Sequence, residues 1–462
     1  MSNPSLPEKQ ILEGNVRRFV WFRLFFNARF YYPVFTILFL DYGLTLEQFA
    51  ILNLVWALTI VVAEVPSGAL ADIMGRKRLL VFASFLMFIE MGILVIVPIG
   101  ASSLLFFVFL INRICSGLAE AAASGADEAL AYDSLKALGR EDEWAHLLEK
   151  TTRTLSIGFF IAMITGAMVY DPNVVNTLLG WIREGWMLSD NTIIRLPVVF
   201  TLATSCIVIV TTLGFREIEL PESEKSQEAS SPESLWRKLS LPFDQIFKAA
   251  KWTLGHRFVL FVILAALAID SVARQFVVLA SEYYRIIHIP PAWFGFIGAG
   301  FALLGIVNAR ISRYLVSNHS PLFNYLILSG ILLVGLIGIS FTIPWIGVLF
   351  AVCAFIMMGM VNYQSSFYIN REVDSVHRAT VLSFRGLALN LGLGVASLLY
   401  TFLIASLKVR ENASLDPDTL QKEIFADSLP AFPVYFLILF VLVLVFGRIF
   451  IRRGHICLKV PD

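Results

Sequence analysis

The sequence predicts an all-α membrane protein of about twelve transmembrane helices, arranged as two six-helix bundles. Three observations carry that expectation. Of the 462 residues, 57% are apolar and 15% charged, with 39 Phe, and the mean hydropathy is +0.75. That is more apolar surface than a soluble core can hide. Segments of roughly 20 mostly apolar residues, the length that crosses ~30 Å of hydrocarbon at about 1.5 Å rise each, recur throughout the chain. Basic residues also alternate in density between successive connecting segments.

Taken in order, spans are expected near residues 16–40, 48–71, 79–99, 103–131, 151–170, 196–215, 256–280, 292–316, 321–343, 345–369, 379–407 and 431–451. The tail before them, residues 1–15, has no short apolar stretch followed by a small-residue cleavage site, so the first span is expected to be a resident helix. With the N-terminus in the cytoplasm, the opposite side receives only Arg183, Arg195, Arg285, Lys408, Arg410 and Lys422. Arg23, Arg29, Arg113 and Arg274 fall within spans, and the bulk of the remaining Lys and Arg lies inside. This bias predicts an even number of crossings with both termini cytoplasmic.

The longest polar stretch, residues 216–255, begins REIELPESEKSQEASSPES, too charged and Ser/Pro-rich to pack, and continues as SLWRKLSLPFDQIFKAAKW. It predicts a linker followed by an interfacial amphipathic helix, dividing a bundle at 16–215 from a bundle at 256–451, with a tail at 452–462. GREDEWAHLLEKTTR, after the fourth span, is also amphipathic; both segments are as consistent with solvated surface helices as with a regulatory role. A constant offset lays Gly305, Ala309, Ser312 and Arg313 onto Gly68, Asp72, Gly75 and Arg76, a weak sign of two parallel repeats.

Several function classes are excluded. A net charge of +1 argues against a nucleic-acid partner. Cys115, Cys206, Cys353 and Cys457 lack the paired spacing of a disulfide framework or zinc site. No GxxxxGK[ST] phosphate loop occurs, which leaves ion gradients rather than ATP as the energy source, and no cofactor is implied. The absence of HExxH, GxSxG and a gathered His/Cys set makes a membrane enzyme the weaker rival. All six His lie at span ends or in loops, so a proton carrier is expected to be a carboxylate.

Between the second and third spans the chain reads GALADIMGRKR, residues 68–78. This resembles the signature loop of the major facilitator superfamily, matched by Gly68, Leu70, Ala71, Asp72, Gly75, Arg76, Lys77 and Arg78 and departed from at Ile73, where a basic residue is usual. EVPS before it, SGADEALAYDSL and RATVLSFRG resemble a bacterial twelve-helix branch of the same superfamily, so the resemblance covers essentially the whole chain. Physically, Gly68 and Gly75 permit close helix approach and a tight turn, Asp72 suits a neighbouring helix N-terminus, and Arg76 can reach a carboxylate on another helix. The resemblance implies that this cluster gates the cytoplasmic side, with Asp133 answering Arg76. The alternative is that GRKR is only a positive-inside anchor.

Charges at bilayer depth are costly and therefore candidate site residues. Arg113, Gly117, Glu120, Ser124 and Asp127 recur at steps of four and three, on one face of the fourth span. That face is expected to line an aqueous cavity. Arg113 with Gly117 resembles the family's span-four motif, which implies proton coupling; an Arg-to-acid structural pair is the alternative. Arg23, Asn27 and Tyr31 share a stripe on the first span, with Arg29 near mid-depth. Glu64, Glu90, Asp270, Arg274, Asn362 and Asn390 complete the candidate pathway, with Gln364 a further neutral polar group. Asp270 and Arg274 are one turn apart and suit an intrahelical ion pair; Glu90 is expected to be protonated or paired with Arg29.

The resemblance implies a secondary transporter working by alternating access. Its partners would be a small organic solute and H+, within a lipid bilayer, and the chain is expected to act as a monomer. Export is the favoured direction; an importer or facilitator of a nutrient or siderophore, or a non-transporting sensor, are the alternatives. Gly158, Ala162 and Gly166 lack the proline of the span-five motif of multidrug antiporters, which argues against that subclass.

Overall fold

The computed structural model describes residues 6–217, 235–409 and 416–451. Among them every regular element is helical. The first bundle runs through α1 (Leu6–Asn27), α2 (Phe35–Asp41), α3 (Leu46–Met74), α4 (Arg76–Ile96), α5 (Ser103–Ala123), α6 (Ala126–Ala137), α7 (Trp144–Tyr170), α8 (Pro172–Ile182), α9 (Asp190–Ile193) and α10 (Leu196–Gly214). The second follows α11 (Leu235–Gly255) with α12 (Arg257–Ile286), α13 (Pro291–Asn318), α14 (Pro321–Ile339), α15 (Gly347–Glu372), α16 (Ser375–Lys408), α17 (Pro417–Ser428) and α18 (Ala431–Ile451). Eleven of these stretches are long and apolar enough to cross a membrane. The twelfth crossing is the discontinuous pair α1 and α2. Below, the basal end is where α1 begins and α18 finishes, and the distal end is the opposite one.

Local chemistry sets the helix starts. Thr45 and Gln48 form a reciprocal capping box at α3, Ser102 caps α5, and Asp171 and Ser320 cap α8 and α14 just ahead of Pro172 and Pro321. Outward-facing apolar side chains such as Val210 (71% exposed), Leu349 (69%) and Phe402 (64%) need lipid rather than water around them. The largest buried cluster joins both bundles toward the distal end, with Phe39, Phe49 and Phe109 from the first and Phe276, Tyr283 and Phe294 from the second. A separate core of Phe22, Phe26, Leu80, Met87, Val208 and Phe215 belongs to the first bundle alone.

Several sequence expectations need correction. The first span is not one helix over residues 16–40: α1 starts at Leu6 and stops at Asn27, and Ala28–Tyr31 belong to no helix before a short 3-10 turn and α2. Tyr31 therefore does not continue the Arg23 and Asn27 stripe. The fourth span is likewise divided, because Gly125 adopts φ +78° and ends one helix before α6 starts the next. GREDEWAHLLEKTTR is not a separate surface helix; from Trp144 onward it is the first turns of α7. The repeat offset also misaligns, since Gly75 separates α3 from α4, which starts at Arg76, while Ser312 and Arg313 lie inside α13. Cys115, Cys206 and Cys353 are free thiols. Cys457 and His455, like the linker's REIELPES stretch after Glu217, lie outside the described residues.

Candidate functional site

At the distal end the two bundles are bolted together by polar contacts. Arg285 at the end of α12 pairs with Asp41 at 2.5 Å and, on its own helix, with Glu282 at 2.5 Å. Asp41 accepts a second hydrogen bond from Tyr170, 2.5 Å away. The backbone N–H groups of Thr36 and Ile37 donate to the Ser281 hydroxyl at 3.0 and 3.2 Å, and the Thr36 hydroxyl donates to the Val278 carbonyl. Ala292 N–H donates to Asp171 at 3.2 Å, and Lys408 pairs with Glu47 at 3.4 Å. All but the Arg285–Glu282 and Tyr170–Asp41 contacts join first-bundle to second-bundle helices over an apolar plug, so the path between the bundles is closed there.

Below the plug lie two chambers that share Trp56 and Glu120 as wall residues. The upper, of about 310 Å³, is lined by aromatic rings from both bundles together with Arg113, Asn53 and Ser116. The lower, of about 550 Å³, is polar, with Arg23, Asn27, Glu64, Asp127, Glu128 and Asn390 in its wall. Glu120, Ser124 and Glu128 are exposed, the lower chamber being wide enough for water. Thus the candidate residues of α1, α3, α5, α6 and α16 meet around one path.

Their pairing divides them into held and free charges. Arg29 sits in the unwound stretch after α1 and pairs with Glu90 of α4; the two are 3% and 0% exposed. Its Nε donates to the Phe26 carbonyl at 3.1 Å, and Asn112 donates to the Glu90 carbonyl at 2.7 Å. Because both charges are spent on each other beneath packed side chains, neither lines a chamber. Arg23 is held by Asp127 at 2.6 Å and by Glu128. Asn27 turns its amide back to the Arg23 carbonyl at 2.8 Å.

In the second bundle Asp270, fully buried, pairs with Arg274 at 2.6 Å, and Arg274 donates to Asn390 at 3.1 Å. Asn362 donates to Asp270 at 3.3 Å while its side-chain oxygen accepts from Arg385 at 2.7 Å. This closes a five-residue network across α12, α15 and α16. Arg385 was not singled out from sequence, although it lies within the apolar run at residues 379–407. By contrast Glu64, Glu120 and Arg113 have no ion-pair partner among the described residues. Arg113 is 4% exposed, donates to the Asn112 side chain at 3.3 Å and also meets the Tyr31 hydroxyl, and lies over the rings of Phe35 and Phe39 at 5.2 and 5.3 Å. An Arg-to-acid pair at this position is therefore not what the structure contains.

The turn between α3 and α4 forms a separate basal cluster. Arg76 pairs with Asp133 of α6, within the same bundle. The Glu217 carboxylate, arriving from the segment after α10, accepts from the backbone N–H groups of Arg76 and Lys77, each at 2.9 Å, and so caps α4. Gly75 is required here: its φ is +95°, and a Cβ would stand 2.8 Å from that carboxylate. Gly68 does not serve close helix approach, because a Cβ there would meet nothing within 4 Å. The Asp72 backbone belongs to α3, but its side chain lies outside what is described.

The family pattern for the Major Facilitator Superfamily matches residues 20–397. No curated protein matches the sequence. Among solved structures, a bacterial homolog of the human lysosomal transporter Spinster, inward-facing and unoccupied, is similar with a TM-score of 0.67 at 16% identity, covering 97% of this chain and 99% of that one. The nucleoside transporter NupG is similar with a TM-score of 0.64 at 13% identity, covering 96% and 99%. The xylose transporter XylE from E. coli follows with a TM-score of 0.55 at 14% identity, covering 96% and 99%. At these identities the likeness concerns the fold.

Proposed function

The chain belongs to the major facilitator superfamily, and from that premise we propose that it is a proton-coupled secondary transporter exporting a small organic solute across a bacterial inner membrane by alternating access. The observation that carries the reading is the pair of chambers between the bundles, closed distally by Arg285 and Asp41, whose walls hold two carboxylates with no ion-pair partner among the described residues, Glu64 in the lower chamber and Glu120 in both. Arg76, Lys77 and Arg78 at the basal end support a cytoplasmic basal face. On that orientation the conformation is inward-facing. Solute enters from the cytoplasm, the bundles rock about the chambers, and the distal bonds break as the basal cluster around Arg76, Asp72 and Asp133 tightens.

Glu120 lines both chambers, so it can take a proton when the path opens distally and release it to the cytoplasm. Arg23, Asn27, Glu64, Asp127, Asp270, Arg274, Asn362, Asn390 and Arg385 line or brace that path. Arg29 and Glu90 brace it from behind. The protein works as a monomer in this scheme, because the path lies within one chain. Purified protein in proteoliposomes supplies the test, with a panel of labelled organic solutes assayed for counterflow and then for movement driven by an imposed pH gradient. Concentrative movement that collapses with a protonophore is expected. Counterflow with no response to the pH gradient sinks the coupling, uptake toward the cytoplasmic face reverses the direction, and absence of counterflow for every solute favours a sensor.

A further inference from the structure

We propose that the upper chamber is the solute site and that it selects an organic monoanion with a flat apolar body, its carboxylate seated on Arg113; this rests on the transporter reading above. The geometry begins with charge. Within the spans, Arg23, Arg29 and Arg274 each face a carboxylate, and Arg385 gives two hydrogen bonds to Asn362. Arg113 is the fully buried guanidinium of this group that has no carboxylate partner among the described residues; its polar neighbours are the neutral side chains of Asn112, at 3.3 Å, and Tyr31. The faces of Phe35 and Phe39 stabilise the cation without accepting its N–H groups. A guanidinium at bilayer depth is costly unless an anion meets it, and its planar fork matches a carboxylate.

The chamber supplies that anion's surroundings. Tyr31, Tyr32, Trp56, Phe159, Tyr284 and Phe294 form much of its wall, surfaces suited to a flat apolar body. Its volume of about 310 Å³ lies at the small end of the roughly 300–1,000 Å³ range of small-molecule sites. The wall draws Phe159 from α7 and Tyr284 and Phe294 from the other bundle, so a molecule seated there touches both moving parts. Glu120 stands where the two chambers meet. Its charge disfavours a second acidic group at that end of the solute. An amine would instead be met by Arg113 in the upper chamber and would be better solvated beside Glu64 and Glu120 in the lower one.

The test is equilibrium binding to the purified full chain in detergent, by calorimetry, of three isosteric probes: naphthylacetate, naphthylacetamide and naphthylethylamine. The anion is expected to bind about tenfold tighter than the amide or better, with the amine weakest. Arg113→Gln should bring anion affinity down to that of the amide while the amide stays where it was, and Arg113→Lys should recover part of the difference. Monodisperse elution of both variants separates loss of recognition from loss of fold. The proposal is overturned if the amine binds tightest, if Arg113→Gln leaves the anion-to-amide ratio unchanged, or if none of the three binds. Because no vesicle or gradient is involved, anion binding without counterflow would count against transport alone, and counterflow without anion preference against this site alone.

Discussion

Glu120 and the Arg29–Glu90 pair both lie within the spans, yet they should respond to substitution in opposite ways. Glu120 has no ion-pair partner among the described residues, so Glu120→Gln removes one carboxylate and breaks no salt bridge. It should abolish pH-driven net movement in proteoliposomes while solute exchange at equal concentrations continues. Unchanged pH-driven movement would make the carboxylate structural. Glu90 is different, because removing it strands the Arg29 guanidinium in a site that is 3% exposed. Breaking such a pair costs about 3–5 kcal/mol, whereas replacing both members with apolar groups is often neutral or better. Glu90→Leu should therefore lower the melting temperature sharply, and the double variant Arg29→Met with Glu90→Leu should recover most of it. If the single and double variants melt together, the pair is not what stabilises the first span against α4.

At the scale of the element, the break in the first span is the feature that places Arg29. The unwound stretch needs its backbone groups satisfied inside the membrane, and Phe30 N–H finds the Thr201 hydroxyl of α10 at 3.1 Å. On the opposite side α7 comes so close that a Cβ on Gly166 would stand 1.7 Å from the Phe30 carbonyl oxygen. Both atoms are anchored in backbone, so neither can yield cheaply. Gly158 on the same helix meets only the end of Leu24, whose Cδ1 would be 2.1 Å away and can rotate aside. Gly166→Ala should thus cost several kcal/mol, at or above the usual 1–3 kcal/mol of overpacking, and be seen as loss of folded yield. Gly158→Ala should be far milder. Equal melting temperatures for the two variants would mean that the unwound stretch moves freely against α7.

For the whole molecule, the distal bonds decide which side of the membrane sees the chambers. Asp41 takes one bond from Arg285 of the other bundle and one from Tyr170 of its own. Asp41→Asn leaves the shape but removes the charge from a contact that the distal-open state must break. A charge-assisted bond is worth about 1.5–3 kcal/mol, so the distal-open population should rise about tenfold or more. In a background with Cys115, Cys206, Cys353 and Cys457 replaced, Ala280→Cys reports this. Ala280 is 4% exposed and lines the upper chamber, and its labelling by an impermeant thiol reagent from the distal side should accelerate accordingly. An unchanged rate in the presence of Asp41→Asn would remove Arg285 and Asp41 from the gate.

Length, hydropathy and the GALADIMGRKR loop were enough to determine a membrane protein of this superfamily, because bilayer thickness imposes a residue count on every crossing and a helix turn at a charged surface imposes its own local pattern. The intrahelical pair of Asp270 and Arg274 was legible for the same reason, since one turn of helix fixes the spacing. Spacing could not show that the first and fourth spans stop being helices midway, at Asn27 and at Ser124, because the penalty for unwinding is offset by partners that are remote in sequence, such as Thr201. Depth in the bilayer left Glu90 either protonated or paired with Arg29, and only the packing shows the pair, with Arg113 and Glu120 left without an ion-pair partner among the described residues. Which charges meet is a property of how five or six helices converge on one volume. In a medium that solvates no ion, that convergence alone decides whether a charge braces the fold or is left for a solute and a proton.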